Sequence, residues 1–250
     1  IYGGGGAALH LGADNALPSA SRLVVSIGGI GGECVFDLNG FNQEAAGLSG
    51  DVTGVITDNG GQPSTLTLNP TNNDQIYPGV IQDGANSVSI IKNGAYAEIF
   101  SGIDTYTGNT IVNDGTLRIL GSLGATSIVV NNGAYLDGTG TISGPVTINA
   151  GGILTAGGGS IGTLNINNNL TIVGNLSLKV NKSLVQSNDF INVSGILTNA
   201  GVATLSIYNT GTNALAAGDS FYLFSQAVGN GNSLTISGPA GVIFTNKLQV

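Results

Sequence analysis

The middle of the chain alternates short β-branched runs with polar corners at a fixed interval. The runs occupy residues 110–112, 128–130, 146–148 and 164–166, and an Asn-rich block follows each of them, beginning at 113, 131, 149 and 167. The blocks therefore follow one another at a constant 18-residue interval. One strand-like run and one corner per period of about 20 residues is typical of a solenoid, in which every coil covers its neighbour.

The pattern elsewhere predicts an all-β protein. Short apolar runs bounded by Gly, Asn or Asp recur along the whole chain, and no stretch keeps the i, i+3, i+4, i+7 spacing of a helix. The loops are too short for helical crossovers, so each run must pair with its equivalent one coil along. We therefore predict a parallel β-helix with about three short strands and roughly 18–21 residues per coil, which gives about 12 to 14 coils.

The corners are predicted to form a ladder along one edge of this solenoid. Asn side chains stacked one above another can hydrogen-bond to their copies, and Gly tolerates the left-handed backbone that a tight corner requires. The predicted ladder consists of Asn113, Asn131, Asn149, Asn167, Gly115, Gly133 and Gly151. Two segments that break the period, 179–189 and 211–218, are predicted to project as loops.

Composition and charge narrow the function classes. The chain has 42 Gly, 8% charged residues and a formal net charge of −8, and its six basic residues are scattered, so we expect no nucleic-acid partner. No apolar run approaches the ~18 residues of a transmembrane helix, so we expect no membrane insertion. We expect the single cysteine, Cys34, to be an inert core thiol. Residues 1–250 are interpreted as one solenoid segment of a longer chain, because both ends break off in mid-repeat.

The residue types that carry catalysis are sparse and dispersed. His10 is the only histidine, and the 14 acidic residues do not repeat at the 18-residue interval. Asp114 and Asp137, the acids nearest the corners, are separated by more than one such interval and are not expected to stack. We therefore expect no enzymatic activity and no catalytic, cofactor-binding or metal-binding residues, although parallel β-helices can host polysaccharide lyases and hydrolases. Thr-x-Thr pairs at 65/67, 105/107 and 139/141 form no ladder, which makes an ice-binding or carbohydrate-binding threonine face a weaker alternative.

Residues 101–120 carry a specific resemblance. They contain a Ser-Gly pair, Thr-Tyr-Thr-Gly, a short strand and Asn-Asp-Gly-Thr-Leu, in that order. This order resembles the autotransporter-associated β-strand repeat of passenger regions in large exported bacterial surface proteins. Flanking segments are similar to companion segments of that family: residues 11–18 with 36–43 and 47–50, and residues 138–144 with 158–166. The resemblance spans nearly the whole chain, most specifically 101–166, and implies a right-handed parallel β-helix outside the cell with no shared catalytic residues.

Together these observations predict a non-enzymatic structural repeat protein of the cell surface or extracellular space. Such a protein would act as a stalk, an adhesin or a filament building block. Unpaired strands at the ends of a solenoid would pair with another copy or with adjoining repeats. The alternative is a polysaccharide-active or carbohydrate-binding β-helix module, with surface glycans as partners.

Overall fold

A computed structural model describes residues 6–27 and 31–243 of the protein. In these ranges the regular structure consists of β-strands and one 3₁₀ turn at Gly231–Ser233. The strands, in chain order, are β1 (Ala7–His10), β2 (Leu23–Val25), β3 (Cys34–Asp37), β4 (Gln43–Ala45), β5 (Leu48–Gly50), β6 (Gly54–Thr57), β7 (Ser64–Leu68), β8 (Gln75–Tyr77), β9 (Val80–Ile81), β10 (Val88–Lys92), β11 (Ala97–Phe100), β12 (Ile103–Asp104), β13 (Thr110–Val112), β14 (Thr116–Ile119), β15 (Ser122–Leu123), β16 (Ile128–Val130), β17 (Tyr135–Gly138), β18 (Thr141–Ile142), β19 (Val146–Ile148), β20 (Ile153–Leu154), β21 (Thr163–Ile166), β22 (Leu170–Ile172), β23 (Asn175–Val180), β24 (Phe190–Val193), β25 (Leu197–Asn199), β26 (Thr204–Asn209) and β27 (Thr235–Ser237).

Apart from the separate two-stranded sheet β2-β5, the strands stack into three faces of a parallel β-solenoid, as the sequence predicts. Face A is the continuous sheet β4-β7-β10-β13-β16-β19-β22-β25, and face B contains β8-β11-β14-β17-β20-β23-β26-β27. Face C combines β1-β3-β6-β9 with β12-β15-β18-β21-β24, joined where the Thr105 N–H donates to the Ile81 carbonyl at 2.8 Å. The chain visits A, B and C in turn, and each strand pairs in parallel with its equivalent in the next coil. The eight strands of face A mark about eight turns.

Inward and outward side chains alternate along the strands, and the inward ones form the core of the solenoid. The three-residue strands of face A bury their first and third side chains and leave the middle one half-exposed. Leu117, Leu136, Leu154 and Leu176 form one fully buried row inside face B. Each fully buried Leu or Ile side chain contributes about 1.5–3 kcal/mol. Because the rows continue from coil to coil, the core runs along the whole axis.

The 18-residue interval holds only in the middle of the molecule. Thr110 pairs with Ile128 and Ile128 with Val146, at this interval each time. Val146, however, pairs with Leu170 instead of Leu164, and Thr204 pairs with Thr235 instead of Tyr222. The predicted 18–21 residues per coil is therefore wrong outside the middle coils, and so is the estimate of about 12 to 14 coils. The extra residues lie in segments between strands, including 181–189 and 210–219, near the two predicted loops.

Candidate functional site: the asparagine corner

The corner between faces A and B carries a column of asparagines. Asn131 Nδ2 donates to Asn113 Oδ1 at 2.7 Å, and Asn149 Nδ2 donates to Asn131 Oδ1 at 2.8 Å. The column extends further toward the N-terminus, because Asn113 Nδ2 donates to Asn93 Oδ1 at 2.9 Å. Asn69 occupies the equivalent position one coil earlier, since Leu68 pairs with Lys92. Asn93 and Asn69 are absent from the predicted ladder, although each follows a strand-like run in the same way as the others.

The prediction for Asn167 is wrong. Its backbone N–H donates to the Ile142 carbonyl at 2.7 Å, which places it at the end of β21 on face C. Ile148 pairs with Ile172, so Val173 takes the corner position after Asn149. The displacement arises in the Gly-rich segment 157–160, which adds residues between β20 and β21 and shifts every later strand relative to the 18-residue interval.

The predicted corner glycines adopt left-handed backbone. Their φ angles are +61° for Gly115, +82° for Gly133 and +78° for Gly151. A residue with a side chain is strained at such angles, whereas glycine is not. The Gly133 N–H also donates to the Gly151 carbonyl at 3.0 Å, so these turns stack in register with the asparagines.

Beside this corner, the outer surface of face A carries no charged side chain between β7 and β19. Its central outward ridge runs through Thr67, Ile91, Ile111, Val129 and Thr147, which are adjacent in register and half-exposed. The next outward column holds polar neutral residues, where Ser127 Oγ donates to Asn109 Oδ1 at 2.8 Å. An apolar ridge therefore lies between two columns that can form hydrogen bonds.

Two tyrosines lie on the other side of the corner. Tyr96 is 42% exposed and Tyr135 is 39% exposed. Ala97 pairs with Thr116, and Thr116 pairs with Tyr135, so the two tyrosines are two coils apart along the axis. At the usual strand spacing their Cα atoms are about 10 Å apart. We call Asn93, Asn113, Asn131 and Asn149 with Ile91, Ile111, Val129, Tyr96 and Tyr135 the corner strip.

One coil carries three ionisable side chains inside the solenoid. Lys92, Glu98 and Asp104 come from β10, β11 and β12 and are at most 1% exposed. Lys92 Nζ donates to the carbonyls of Asn93, Gly94 and Asp114 at 2.6, 2.7 and 2.9 Å, so it holds two corner turns together from within. Burial lowers the pKa of Lys92 to about 8, against the opposing effect of Glu98 and other acids.

The two buried acids of this coil titrate well above their ordinary range. Burial raises the pKa of Glu98 to about 8, although the Leu48 N–H and the Lys92 charge act in the opposite direction. Burial likewise raises the pKa of Asp104 to about 7, against a hydrogen bond from the Ile81 N–H. Glu98 Oε1 and Asp104 Oδ2 find no hydrogen-bond partner in the described part of the chain. Glu98 is therefore mostly protonated at neutral pH, whereas Asp104 is protonated in roughly half of the molecules.

The remaining acids near basic groups form separate pairs. Asp37 lies 2.9 Å from His10 Nδ1, Asp137 lies 2.9 Å from Arg118 Nε, and Asp189 lies 2.9 Å from Lys179 Nζ. Burial would raise the pKa of Asp37, but hydrogen bonds from Asn59, Asn39 and His10 together lower it. Asp114 lies at the exposed corner, away from Asp137, which pairs with Arg118 in register. Within residues 6–27 and 31–243, no three His, Cys, Asp or Glu side chains are placed to hold a metal ion.

Comparison with known proteins gives one local similarity to an adhesin. A stretch of 76 residues, 30% of this chain, is 43% identical to the adhesin BmaC autotransporter of Brucella suis. The matched stretch corresponds to 2% of that adhesin's length, so the chain is similar to a small part of a much larger protein. No protein-family model matches the chain. The comparison supports the predicted link to autotransporter proteins, and the repeat type stays a prediction.

Across the described ranges, the structure contains no helix long and apolar enough to cross a membrane.

Proposed function

We propose that this chain is a segment of a non-enzymatic surface adhesin of the autotransporter type, in which the solenoid acts as a rigid stalk that presents its outer columns. The observation that carries the proposal is the continuous parallel stack of about eight coils together with the 43% identity to an autotransporter adhesin over 76 residues. In a solenoid each coil contacts its neighbours, so rigidity extends along the axis. This property suits a stalk.

The distribution of acidic residues favours a structural role over catalysis. A glycosidase or lyase needs two or more carboxyl groups directed toward one substrate. Asp37, Asp137 and Asp189 are each paired with a basic side chain, and Glu98 and Asp104 are enclosed in the core. A screen of this protein against neutral and acidic polysaccharides, read by release of reducing ends and of unsaturated products, tests the point. Turnover that survives purification to homogeneity would contradict the proposal.

The surface location is tested on cells of the source organism. Antibodies raised against residues 31–243 should label intact cells, and protease added outside the cells should remove the signal while a cytoplasmic marker survives. Labelling that requires permeabilised cells would contradict the proposed location. Adhesion is tested separately, by blocking attachment to host cells or abiotic surfaces with the same antibodies.

The proposal includes association through the ends of the solenoid. Phe224, Leu234 and Ile236 lie toward the C-terminal end of the described residues and are only partly buried, so part of their apolar surface is exposed. We expect rods to join end to end, either between copies or with adjoining repeats. Electron microscopy and light scattering of concentrated protein should show chains of rods, and Ile236→Lys, which places a charge in the last inward row, should shorten them. Monodisperse single rods at every concentration would contradict this part.

A further inference from the structure

We infer that the corner strip binds a neutral polysaccharide chain lying parallel to the solenoid axis. The inference rests on the proposed surface role and adds to it a ligand class and a site. Three properties of the strip carry it, namely unused hydrogen-bonding capacity in a regular line, apolar surface on both sides of that line, and the absence of charge on the outer surface of face A between β7 and β19.

The asparagine column retains hydrogen-bonding groups for a ligand. A carboxamide has two N–H donors and two acceptor lone pairs. In the ladder, Asn131 uses one donor toward Asn113 and one lone pair toward Asn149. Asn113 likewise donates to Asn93 and accepts from Asn131. Each of these amides therefore keeps one donor and one acceptor, repeated once per coil on a fixed backbone. Hydroxyl groups, which both donate and accept, complement this arrangement.

Apolar side chains flank the amide line. Ile91, Ile111 and Val129 form the ridge on face A, and Tyr96 and Tyr135 are exposed on the side of face B. A sugar ring has an apolar face and hydroxyls at its edge, so it can stack on a tyrosine while its edge reaches an amide. The two tyrosines are about 10 Å apart along the axis, a separation on the scale of two linked hexose units. One chain could thus contact both rings and the intervening asparagines.

The charge of the strip selects a neutral ligand over an anionic one. The outward positions of face A from Thr65 to Asn149 hold no charged residue, and Asp114 at the corner is an exposed carboxylate. With a formal net charge of −8, the protein repels anionic polymers further. Binding of a neutral glycan should therefore change little with salt, because no ion pair contributes to it.

Isothermal titration with neutral hexasaccharides tests the site, using cellohexaose, laminarihexaose and mannohexaose, with hexagalacturonate as the anionic probe. Two variants remove one stacking ring each. Tyr96→Ala truncates the exposed ring to a methyl group, and Tyr135→Thr inserts the residue type that Thr116 supplies at the paired position one coil earlier. Tyr208→Thr is the control, because Tyr208 is 55% exposed and lies on β26, away from the strip.

We expect at least one neutral hexasaccharide to bind, with affinity falling about tenfold in each strip variant and unchanged in the control. Equal thermal melts would show that the variants are folded. The inference is overturned if none of the neutral hexasaccharides binds, if hexagalacturonate binds better, or if the control loses as much affinity as the strip variants. It is also overturned if light scattering shows a dimer that Tyr96→Ala dissociates, since a second copy then occupies the strip. Surface labelling on cells with no glycan binding would overturn this inference alone and leave the proposed function standing.

Discussion

Replacing Glu98 with Gln should make the protein more stable at alkaline pH. Glu98 lies in the inward row of face B beside Gln75, and its Oε2 accepts a hydrogen bond from the Leu48 N–H at 3.2 Å. The other carboxyl oxygen is buried without a partner. Gln has nearly the same shape, can accept the same hydrogen bond, and never ionises. The substitution therefore removes the charge that Glu98 would acquire on ionisation at alkaline pH, while it keeps the packing.

The size of the effect follows from the pKa of Glu98, which burial raises from 4.5 to about 8. Between pH 4.5 and about 8, the unfolded chain loses the Glu98 proton while the folded protein retains it. The free energy of unfolding therefore falls as the pH rises through this range. The slope is about 1.4 kcal/mol per pH unit, and the full shift corresponds to roughly 5 kcal/mol. Lys92 loses an opposite charge in the variant, which offsets part of the gain. We expect the Glu98→Gln variant to gain about 2–5 kcal/mol at pH 8.5 and less than about 1 kcal/mol near pH 5.

Urea denaturation followed by far-UV circular dichroism, at intervals between pH 5 and 8.5, measures the effect. The pH dependence of stability that Asp104 contributes is the same in wild type and in the variant. It therefore cancels when the two unfolding free energies are subtracted. Glu33→Gln is the matched control, because Glu33 is exposed and its replacement removes the same net charge. Stability curves of wild type and Glu98→Gln that run parallel across this range would refute the assignment of a protonated buried acid. A control variant that reproduced the gain would refute it equally.

Four further substitutions test the corner, the coil packing and the larger loop. Asn131→Ala removes both amide bonds of one ladder residue at a half-exposed position and should cost about 1 kcal/mol by denaturation; a neutral result would mean that the column adds nothing to stability. Gly138→Ala should cost roughly 3 kcal/mol or more, because φ is +137° and the new Cβ would lie 1.9 Å from a backbone carbonyl oxygen. Gly133→Ala, at φ +82° with open space around it, should cost about 1 kcal/mol, and equal losses would contradict the steric explanation. Asp189→Asn breaks the buried pair with Lys179 at the base of the loop 181–188, so limited proteolysis should cut this loop faster than in wild type.

The sequence predicted the architecture because stacking makes every coil obey the same rule. Alternating β-branched runs and Gly or Asn corners recur wherever the chain turns, so the parallel solenoid and its three strands per coil could be inferred from the middle coils alone. The right hand of the coil and the single-segment organisation stay predictions. The constant coil length was a stronger assumption, and it failed because loops between strands can lengthen without disturbing the pairing.

The error at Asn167 shows how such an insertion misleads. The run at 164–166 resembles the face A strands in composition, yet it belongs to face C, because residues 157–160 form an extra Gly-rich turn with φ of +88°, +59° and +108° at its three glycines. Strand composition cannot distinguish one face from another when all faces bury small aliphatic side chains. Only the count of residues between strands does so, and that count changes at each insertion.

The buried positions of Lys92, Glu98 and Asp104 could have been predicted from the sequence but were not. In β10 the buried positions are Val88, Ile90 and Lys92, so the alternation of side chains along the strand is enough to place Lys92 inside. Residue type predicts the opposite, since lysine is almost never fully buried unless it is paired. The structure resolves the conflict through three backbone carbonyls at the adjacent corner turns, which satisfy all three ammonium donors. Two of these carbonyls belong to the turn that directly follows Lys92, but the third, from Asp114, comes within reach only when the next coil stacks, so the local sequence does not reveal the full set.

Stacking also determines what kind of ligand the outer surface can recognise. A side chain at one position of one coil has equivalents at the same position of the coils above and below. Equivalent side chains therefore form a column parallel to the axis, as in the series Asn93, Asn113, Asn131 and Asn149. A compact ligand would use one or two members of such a line and leave the rest unoccupied. A polymer with its own repeat can contact each member in turn, and its affinity then grows with the number of coils engaged. The regular corner therefore favours a linear partner, and binding should strengthen as the neutral oligosaccharide lengthens.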